Sequence, residues 1–188
     1  MSNDQEQKES IKTIIKSAFD PFSLKDDFLH RLSQGKLTRD ENPSNHFCAF
    51  FAPFDPISKQ VFLGHHKKGN RWLFNGGHLD QGEPPLLAVK REMVEEWGDQ
   101  ANSLIICEQH LITITHITDP AQTCKTHYDL WFFLSVNKNS FQPNEELMKK
   151  EFHSWGWKTQ NEALALCHEK GPDITKALEI IFQELIKI

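Results

Sequence analysis

Cysteine is scarce in this chain, and its spacing gives no metal or redox motif. The four cysteines include no CxxC pair: Cys48, Cys107, Cys124 and Cys167. Paired spacing is typical of structural zinc sites and of thioredoxin-like redox centres, so the sequence predicts neither. Unpaired thiols suit a reducing compartment, and a cytoplasmic location is expected.

Long hydrophobic runs are also missing. No apolar stretch approaches the roughly 20 residues that a membrane-spanning helix requires. Residues 1–10 are polar and charged and lack the apolar core of a signal peptide. We therefore expect no membrane partner. The sequence contains no internal repeat and no low-complexity tract.

Positive charge is in short supply. The chain has 21 Lys and Arg against 26 Asp and Glu, which gives a net charge of −5 at neutral pH. Broad nucleic-acid binding by a basic surface is therefore not expected. A hydrophobic content of 38% and a charged content of 25% are ordinary for a globular protein. Fourteen phenylalanines suit a β-rich core with aromatic packing.

Three glutamates are gathered on one predicted helix. Glu92, Glu95 and Glu96 stand at positions i, i+3 and i+4. At about 100° per residue they fall within a single arc of about 100°, where carboxylates repel each other. A hard divalent cation with oxygen ligands, Mg²⁺ or Mn²⁺, would offset this repulsion. The alternative is a solvated charged helix with no ligand.

The residues that flank this helix favour a strand, a turn and then a capped helix. Residues 71–74 are apolar and aromatic and read as a strand. Gly76 and Gly77 permit positive φ and a close approach of the backbone to a bound ion or phosphate. Pro84 and Pro85 suit a first helical turn, and Gly98 suits a C-cap.

An apolar stripe is predicted along the same helix. Its members recur at steps of three and four residues: Leu86, Val89, Met93 and Trp97. We expect the stripe to lie largely opposite the carboxylates. One face would then anchor the helix in a core while the other presents oxygen ligands.

The order of these residues resembles the Nudix box, which marks hydrolases that act on nucleoside diphosphates linked to another moiety. The matching positions are Gly77, Glu83, Arg91, Glu92, Met93, Glu95, Glu96 and Gly98. Position 93 needs only an apolar residue, and a chance match of the other seven has odds of about one in 10⁸ per starting point. Asp99 departs from the family pattern, which has an aliphatic residue there, and Asn75 stands where proline is frequent. Asp99 leaves open how the helix end packs, and Asn75 is expected to have little consequence.

The resemblance implies a fold, a cofactor and roles for individual residues. The fold would be a Nudix-type α/β/α sandwich with a mixed central sheet, and the cofactor Mg²⁺ or Mn²⁺. Four residues would bind the metal, three by carboxylate and one by its main-chain carbonyl: Glu92, Glu95, Glu96 and Gly76. Arg91 and Glu83 would support the catalytic glutamates by orienting ligands and by tying the loop to the helix. The alternative for Arg91 is a purely structural i,i+4 ion pair with Glu95, and the two roles are compatible.

A further carboxylate is often needed as a base or an extra ligand. Glu151 precedes Trp157 by six residues and is the leading candidate by resemblance, with Glu145 and Glu146 as substitutes. A solvated charge in a polar loop is the competing interpretation.

The resemblance implies hydrolysis of a pyrophosphate linkage, NDP-X to NMP and P-X, by metal-activated water. A catalytically silent nucleotide-binding or regulatory module of the same family is the alternative, although such modules usually lose box glutamates. A third hypothesis is isomerase chemistry on an allylic diphosphate, for which Cys48 is the candidate cysteine.

The substrate is expected to be a small phosphorylated molecule, most simply a nucleotide. Arg71 and Lys67 are candidate phosphate contacts, although Lys67 also fits a solvated hairpin with Lys68. Trp72 is the candidate for base stacking. Phe74 and Trp131 share that possibility, although aromatic residues on strands are more often core. No signature outside the box identifies one substrate.

The remaining sequence predicts an N-terminal helical extension, residues 1–42, followed by a Nudix hydrolase domain, residues 43–188, that includes C-terminal helices. The extension would contain helices over residues 11–19 and 23–35. It would pack over the sheet, or else serve as a substrate lid or a dimer contact, so a homodimer is left open.

Strands and closing helices account for the rest of the prediction. Strands are expected over residues 46–54, 59–66, 71–74, 104–107, 110–118, 126–136 and 152–158, and helices over 161–168 and 174–188. In the sixth strand His127, Asp129 and Trp131 alternate with apolar residues. This polar face would line the substrate cleft or form a half-exposed sheet surface.

Overall fold

A computed structural model describes residues 2–167 and 172–186. The described chain is of the α/β class, with helices before, within and after a sheet. Its elements are α1 (Asn3–Ser17), α2 (Lys25–Ser33), β1 (Asn45–Asp55), β2 (Gln60–His66), β3 (Arg71–Leu73), β4 (Asn75–His78), α3 (Pro85–Trp97), a 3-10 turn (Asp99–Ser103), β5 (Ile105–His116), β6 (Thr126–Ser135), α4 (Glu145–Glu151), β7 (Phe152–Thr159), α5 (Gln160–Cys167), α6 (Pro172–Ile180) and a π-helical turn (Ile181–Leu185).

The strands form one hydrogen-bonded sheet. Its main path has the order β3-β2-β1-β6-β5, while β4 pairs with β1 and β7 pairs with β2. β2 is antiparallel to β1, β3 and β7. The β2–β7 register runs from Gln60 opposite Thr159 to His66 opposite Phe152, with an irregularity between His65 and His66.

The chain forms two compact units, each assembled from segments that are distant in sequence. The first contains residues up to 50, 76–89 and 109–132, and the second contains residues 51–75, 90–108 and those from 133 onward. Each unit has its own buried aromatic cluster, described below.

In the first unit the N-terminal helices pack on each other and on strand residues. Phe28 of α2 is fully buried and contacts the rings of Phe47 and Tyr128, with centroids 6.0 and 5.1 Å apart. Arg31 is also buried, and its guanidinium donates to the side-chain and main-chain oxygens of Asn45 at 2.6 and 2.7 Å. These bonds fasten α2 to the start of β1.

In the second unit the end of α3 is buried among aromatic rings. Trp97 is fully buried and makes edge-to-face contacts with Phe51, Phe62 and Phe141 at centroid distances of 4.9, 6.2 and 5.0 Å. Such contacts add about 0.5–1.5 kcal/mol each to area burial. They fix the carboxyl-terminal half of α3, which carries the box glutamates.

Several element boundaries differ from the prediction, for local reasons. α1 begins at Asn3 rather than at residue 11, because Ser2 caps it by accepting from the Gln5 amide at 3.4 Å. Residues 145–151 form helix α4, where a polar loop was expected, because Asn144 caps them through the amides of residues 146 and 147. The two strands predicted over 104–118 are one strand, β5.

The C-terminal predictions are confirmed only in part. The helix expected over residues 161–168 is α5, and His168 lies outside the described residues. The helix expected over 174–188 is α6 followed by the π-helical turn, with residues 187–188 outside the described residues. Within the described part of the chain, no helix is both long and apolar enough to cross a bilayer.

Candidate functional site

Helix α3 begins and ends where its capping residues predict. The Pro84 carbonyl accepts from the amides of Leu87 and Ala88 at 2.9 and 3.1 Å, so the helix starts at Pro85. Gly98 adopts φ +85 and ends it, while its amide still reaches the Val94 carbonyl at 2.9 Å. Asp99, the departure from the family pattern, is exposed and simply opens the 3-10 turn.

The apolar stripe of α3 does not lie opposite the carboxylates. Val89, Met93 and Trp97 are at most 1% exposed, as expected, but Leu86 is 41% exposed. Glu96 follows Val89 by seven residues, which places it only about 20° away around the helix. The prediction was therefore wrong in this respect: the carboxylates border the buried stripe, and Glu96 is drawn toward it.

Glu96 is bound by a residue that was expected to have little consequence. Asn75 is fully buried, and its side-chain Nδ2 donates a hydrogen bond to Oε2 of Glu96. The pKa of Glu96 is nevertheless raised to about 8, because burial penalises its charged form more than the bond from Asn75 favours it. Three other carboxylates add to the rise: Glu92, Glu151 and Glu95.

Arg91 is placed between two of the glutamates. Its Nη1 lies 2.8 Å from Oε1 of Glu92 and 3.6 Å from Oε1 of Glu95. The side chain of Glu92 is 15% exposed, whereas that of Glu95 is 58% exposed. The close, less exposed pair holds the Glu92 carboxylate in position, and the longer contact leaves Glu95 accessible to solvent.

These residues fit a hard divalent cation. α3 presents three carboxylates, and Oδ1 of the buried Asn75 has no hydrogen-bond partner among the described residues. Carboxylate and amide oxygens are the ligands that Mg²⁺ and Mn²⁺ prefer. A dication among them would favour the ionised form of Glu96, which the protein alone disfavours.

The glycines of the box meet two different requirements. A Cβ at Gly76 would lie 2.6 Å from the Ala49 carbonyl oxygen, so the packing of β4 against β1 requires a glycine there. The expected approach of this backbone to an ion or phosphate stays a prediction, and Gly76 and Gly77 lie in β4 without positive φ. Gly82 does adopt positive φ, at +72. The left-handed backbone at Gly82 is one that a side chain rarely tolerates.

Glu83 closes a turn in the box loop. Its carboxylate Oε2 accepts from the Asp80 amide at 3.1 Å, and its own amide donates to the Asp80 carbonyl at 3.1 Å. These bonds keep the loop compact just before α3, while the role expected for Glu83 in orienting ligands stays a prediction.

Gln7 of α1 holds the same turn from the N-terminal extension. It is 2% exposed, and its Nε2 donates to the carbonyls of Asp80 and Glu83 at 2.8 and 2.9 Å. Its Oε1 accepts from the Gly82 amide at 3.3 Å. One buried amide therefore makes three bonds to the backbone of the box loop.

We expect Gln7→Ala to lower kcat by about 10-fold, since even a displacement of about 1 Å in a site can cost up to about 100-fold in rate. The substitution leaves the backbone groups of the loop without partners and frees the turn that precedes α3. Gln5→Ala is the matched control, because Gln5 lies on the same helix and its side chain bonds to the exposed Glu9 rather than to the loop. Equal activity of both variants would show that the extension does not position the loop.

Glu151 lies at the end of α4 and is paired. Its Oε2 is 3.5 Å from Nε2 of His66, and its side chain is 44% exposed. Its carbonyl accepts from the Lys67 amide at 2.8 Å. Burial lowers the pKa of His66, and Glu151 opposes that effect. The substitutes Glu145 and Glu146 are exposed and contact Lys149.

The candidate substrate contacts lie in the second unit. Arg71 is partly exposed in β3, opposite His66 of β2. Lys67 is exposed, and its Nζ donates to the Lys149 carbonyl. Trp72 is partly exposed: its ring stacks with that of His65 at 5.6 Å, and Nζ of Lys158 lies 4.9 Å from its centroid. Each cation or ring already has a protein neighbour.

Two of the three residues on the polar face of β6 are buried, whereas His127 is partly exposed. Asp129 is inaccessible to solvent, and its Oδ2 accepts from the hydroxyl of Thr115 at 2.5 Å. Trp131 is 1% exposed and donates from Nε1 to the Thr113 hydroxyl at 2.8 Å. The half-exposed surface considered for this strand is therefore absent at these residues, and Trp131 and the fully buried Phe74 are core.

Sequence reasoning missed Asn75, Gln7 and His66 as partners of the site. Gln7 leaves a signal, since it lies at helical spacing with the buried Ile11 and Ile15. A polar residue on an apolar stripe must find buried hydrogen-bond partners. Asn75 and His66 bond to residues far away in sequence, and no local pattern predicts that.

Known proteins are similar to this chain over one half to three quarters of its length. Residues 46–178 match the family model of the NUDIX domain. The chain is 26% identical over 119 residues to Nudix hydrolase 26, chloroplastic, from Arabidopsis thaliana, and the match covers 57% of this chain and 55% of that protein. This chain thus spans about half the length of the plant relative.

A bacterial relative is similar over a comparable length. The chain is 27% identical over 105 residues to an RNA pyrophosphohydrolase of Francisella philomiragia, a match that covers 52% of this chain and 68% of that protein.

Solved structures show the same fold. The Escherichia coli dihydroneopterin triphosphate pyrophosphohydrolase superposes with a TM-score of 0.57 at 19% identity, covering 76% of this chain and 96% of that one. The Caenorhabditis elegans Ap4A hydrolase gives a TM-score of 0.57 at 18% identity, with 74% and 97% covered. These likenesses confirm the fold class predicted from the sequence, an α/β/α sandwich with a mixed sheet. Because the family model spans most of the chain and every box residue is in place, the chain belongs to the Nudix family.

Proposed function

We propose that this protein is a divalent-metal-dependent hydrolase that cleaves the pyrophosphate linkage of a nucleoside diphosphate derivative, releasing a nucleoside monophosphate and a phosphorylated product. The observation that carries the proposal is the arc of three carboxylates on α3, in which Arg91 contacts Glu92 and the buried Asn75 amide donates to Glu96. Burial and neighbouring carboxylates raise the pKa of Glu96 to about 8. The protein alone disfavours the ionised form of Glu96, and a bound cation would favour that form.

The cation would be held by the carboxylates of Glu92, Glu95 and Glu96, and its identity is Mg²⁺ or Mn²⁺. The carbonyl of Gly76 is a further ligand by resemblance and stays a prediction. When bound, the ion would offset the negative charge of the substrate's phosphates and make water a stronger nucleophile.

The protein residues around the glutamates fix their geometry. Arg91 holds Glu92 at 2.8 Å, and Asn75 binds Glu96. Groups that bond to a metal-binding carboxylate orient it and tune its basicity. Arg71 and Lys67 lie in the same unit and are proposed to contact the substrate's phosphates, and Trp72 to contact a base.

Glu151 is proposed to accept a proton from the attacking water. It is half-exposed, and it lies near enough to Glu96 to raise the pKa of that residue. His66 contacts Glu151 at 3.5 Å, which orients its carboxylate. A positioned base reachable by water is the requirement for general base catalysis.

Glu151→Gln is expected to lower kcat by about 100-fold, at the lower end of the range for a general base. The affinity for Mn²⁺ should be unchanged, since Glu151 acts here on water rather than on the ion. Glu146→Gln is the matched control, because Glu146 lies on the same helix with its side chain 82% exposed. A large fall in Mn²⁺ affinity with Glu151→Gln would identify Glu151 as a ligand instead.

A substrate panel tests the proposal as a whole. The purified chain would be incubated with Mg²⁺ or Mn²⁺ and nucleotide sugars, dinucleotides, coenzymes and RNA with a 5′-terminal triphosphate, together with the compounds named for its relatives, Ap4A and dihydroneopterin triphosphate. Products would be separated by ion-exchange chromatography. We expect turnover of at least one compound, lost on chelation. Tight nucleotide binding with no turnover on any compound would contradict the proposal and favour a silent binding module.

A further inference from the structure

A second cluster of metal-ligating side chains lies in the first unit, where none of the proposed carboxylate ligands is found. It consists of three histidines and one cysteine: His46, Cys48, His78 and His127. One ligand atom from each of the four lies within 4.8 Å of those of the others. The imidazole centroids of His46 and His78, and of His46 and His127, are 4.9 Å apart. Those of His78 and His127 are 5.4 Å apart.

Three strands bring these residues together. His46 and Cys48 are two positions apart in β1, so they project from the same face of the strand. His78 ends β4, which pairs with β1, and His127 lies near the start of β6, which also pairs with β1. The adjacency of the strands explains why no short sequence motif marks the cluster.

A backbone carbonyl fixes the orientation of one imidazole. Nδ1 of His46 lies 3.0 Å from the Asn42 carbonyl oxygen, which can only accept, so Nδ1 carries the proton. The other nitrogen, Nε2, therefore presents its lone pair. This is the outer-shell arrangement typical of metal-binding histidines. Nε2 also lies 3.7 Å from Sγ of Cys124, a thiol at the margin of the cluster.

The ligand atoms of this cluster favour a different metal from the one that the glutamates of α3 favour. Imidazole nitrogen and thiolate sulfur suit zinc and related transition ions, whereas Mg²⁺ and Mn²⁺ prefer carboxylates. Four N/S ligands are also the number that a closed tetrahedral zinc site requires. With bond lengths of about 2.0 Å to nitrogen and 2.3 Å to sulfur, tetrahedral donors lie roughly 3.4–3.6 Å apart. Small side-chain rotations would draw the four atoms to that spacing.

We propose that His46, Cys48, His78 and His127 form a four-coordinate site for a zinc-class transition ion. His46 and Cys48 are buried, whereas His78 and His127 are partly exposed, so an ion can enter from the solvent side and then be enclosed. Binding would join β1, β4 and β6 within the first unit. The role is structural, because all four positions are filled by protein and none remains for a substrate.

Cobalt substitution tests the site through spectroscopy rather than activity. Metal-depleted full-length protein would be titrated with Co²⁺, which occupies zinc sites. We expect the visible absorption of tetrahedral Co²⁺ and a near-ultraviolet charge-transfer band from sulfur to cobalt. Cys48→Ser should remove the charge-transfer band. His127→Gln should weaken Zn²⁺ binding by at least about 100-fold in a competition with a chromophoric chelator, which is more than the loss of an outer-shell partner costs.

Three controls make the result decisive. Cys107→Ser removes a thiol from the second unit and should leave the spectrum unchanged. Glu95→Gln alters the carboxylate set and should also leave the charge-transfer band unchanged. Cys124→Ser should retain the charge-transfer band. If Cys124→Ser loses the band while Cys48→Ser keeps it, the assignment of Cys48 is overturned.

Two outcomes would contradict the site as a whole: wild-type protein with no charge-transfer band, or a Zn²⁺ affinity that His127→Gln does not change. Either would mean that the cluster consists of hydrogen-bonded imidazoles and binds no metal. Zn²⁺ should also raise the Tm of wild type but not of Cys48→Ser.

Discussion

Glu96→Gln should produce a protein that is more stable than wild type without metal and yet has almost no activity. In the metal-free wild type, burial raises the pKa of Glu96 to about 8, so ionising this side chain opposes folding. Glutamine has nearly the same shape and cannot ionise. It keeps an oxygen that accepts the bond from Asn75. Activity should fall by at least about 100-fold, since an electrostatic contribution to the transition state is removed.

The gain in stability should depend on pH in a defined direction. In the unfolded chain Glu96 ionises near its ordinary pKa of 4.5, whereas in the folded protein it ionises near 8. A group with a raised folded-state pKa contributes its full stability below the unfolded pKa and loses it as the pH rises toward the folded value. Each tenfold change in ionisation constant is worth about 1.4 kcal/mol, so the loss should amount to a few kcal/mol by pH 8.

Thermal unfolding in a chelating buffer measures this difference between pH 5 and pH 8.5. The Tm of Glu96→Gln should exceed that of wild type by a margin that grows with pH. Histidines whose pKa is lowered from 6.5, such as His110, reduce the stability of the folded protein only as the pH falls. Their contribution is the same in Glu96→Gln and in wild type. Mn²⁺ should narrow the margin by stabilising wild type more strongly. If the difference in Tm between the two proteins does not change with pH, the folded protein does not keep Glu96 neutral.

The sequence predicted the family, the helix that carries the box glutamates and most strands because these features are recorded in local patterns. The spacing of Glu92, Glu95 and Glu96 is a property of one helix, and Pro85 and Gly98 mark its ends. Runs of apolar, β-branched and aromatic residues are enough to place β1, β2, β6 and β7. Such signals depend on neighbours within a few residues and need no knowledge of the tertiary structure.

The features that the sequence did not predict depend on tertiary contacts. The stripe on α3 was assigned from apolar residues alone, so Leu86 was placed inside and Glu96 outside. The structure buries Val89, Met93 and Trp97 instead, and Glu96 lies between that surface and its neighbouring carboxylates. A buried carboxylate is costly without a cation beside it, so local preference and tertiary packing disagree at this position, as is common at functional sites.

The N-terminal extension illustrates the same limit. Its helices were predicted, but their role was left between packing and a lid or dimer contact. Arg31 fastens α2 to Asn45, which is packing, and Gln7 of α1 holds the box loop, which also concerns the site. The extension lies outside residues 46–178, the segment that matches the family model. The box loop is therefore held partly by a residue that lies outside both the box and the matched segment.

Glu95→Gln should abolish catalysis while leaving stability unchanged, in contrast to Glu96→Gln. The Glu95 side chain is 58% exposed, and its contact with Arg91 is 3.6 Å long. An exposed i,i+4 pair of this kind contributes only about 0.3–0.5 kcal/mol. Neutralising Glu95 therefore costs the folded protein little, whereas it removes an accessible carboxylate from the proposed metal set.

We expect kcat to fall by about 100- to 1,000-fold, the usual loss when one element of electrostatic stabilisation is removed. The Tm should stay within about 2 °C of wild type, since a few tenths of a kcal/mol shift Tm by no more than that in a domain of this size. Glu145→Gln is the matched control: its side chain is 73% exposed and it contacts Lys149 at the same 3.6 Å, also at i,i+4. If Glu95→Gln loses activity and Glu145→Gln does not, the effect comes from the position of Glu95 and not from the loss of one negative charge. Undiminished activity would remove Glu95 from the metal set, and with it the argument that this acidic arc binds a dication.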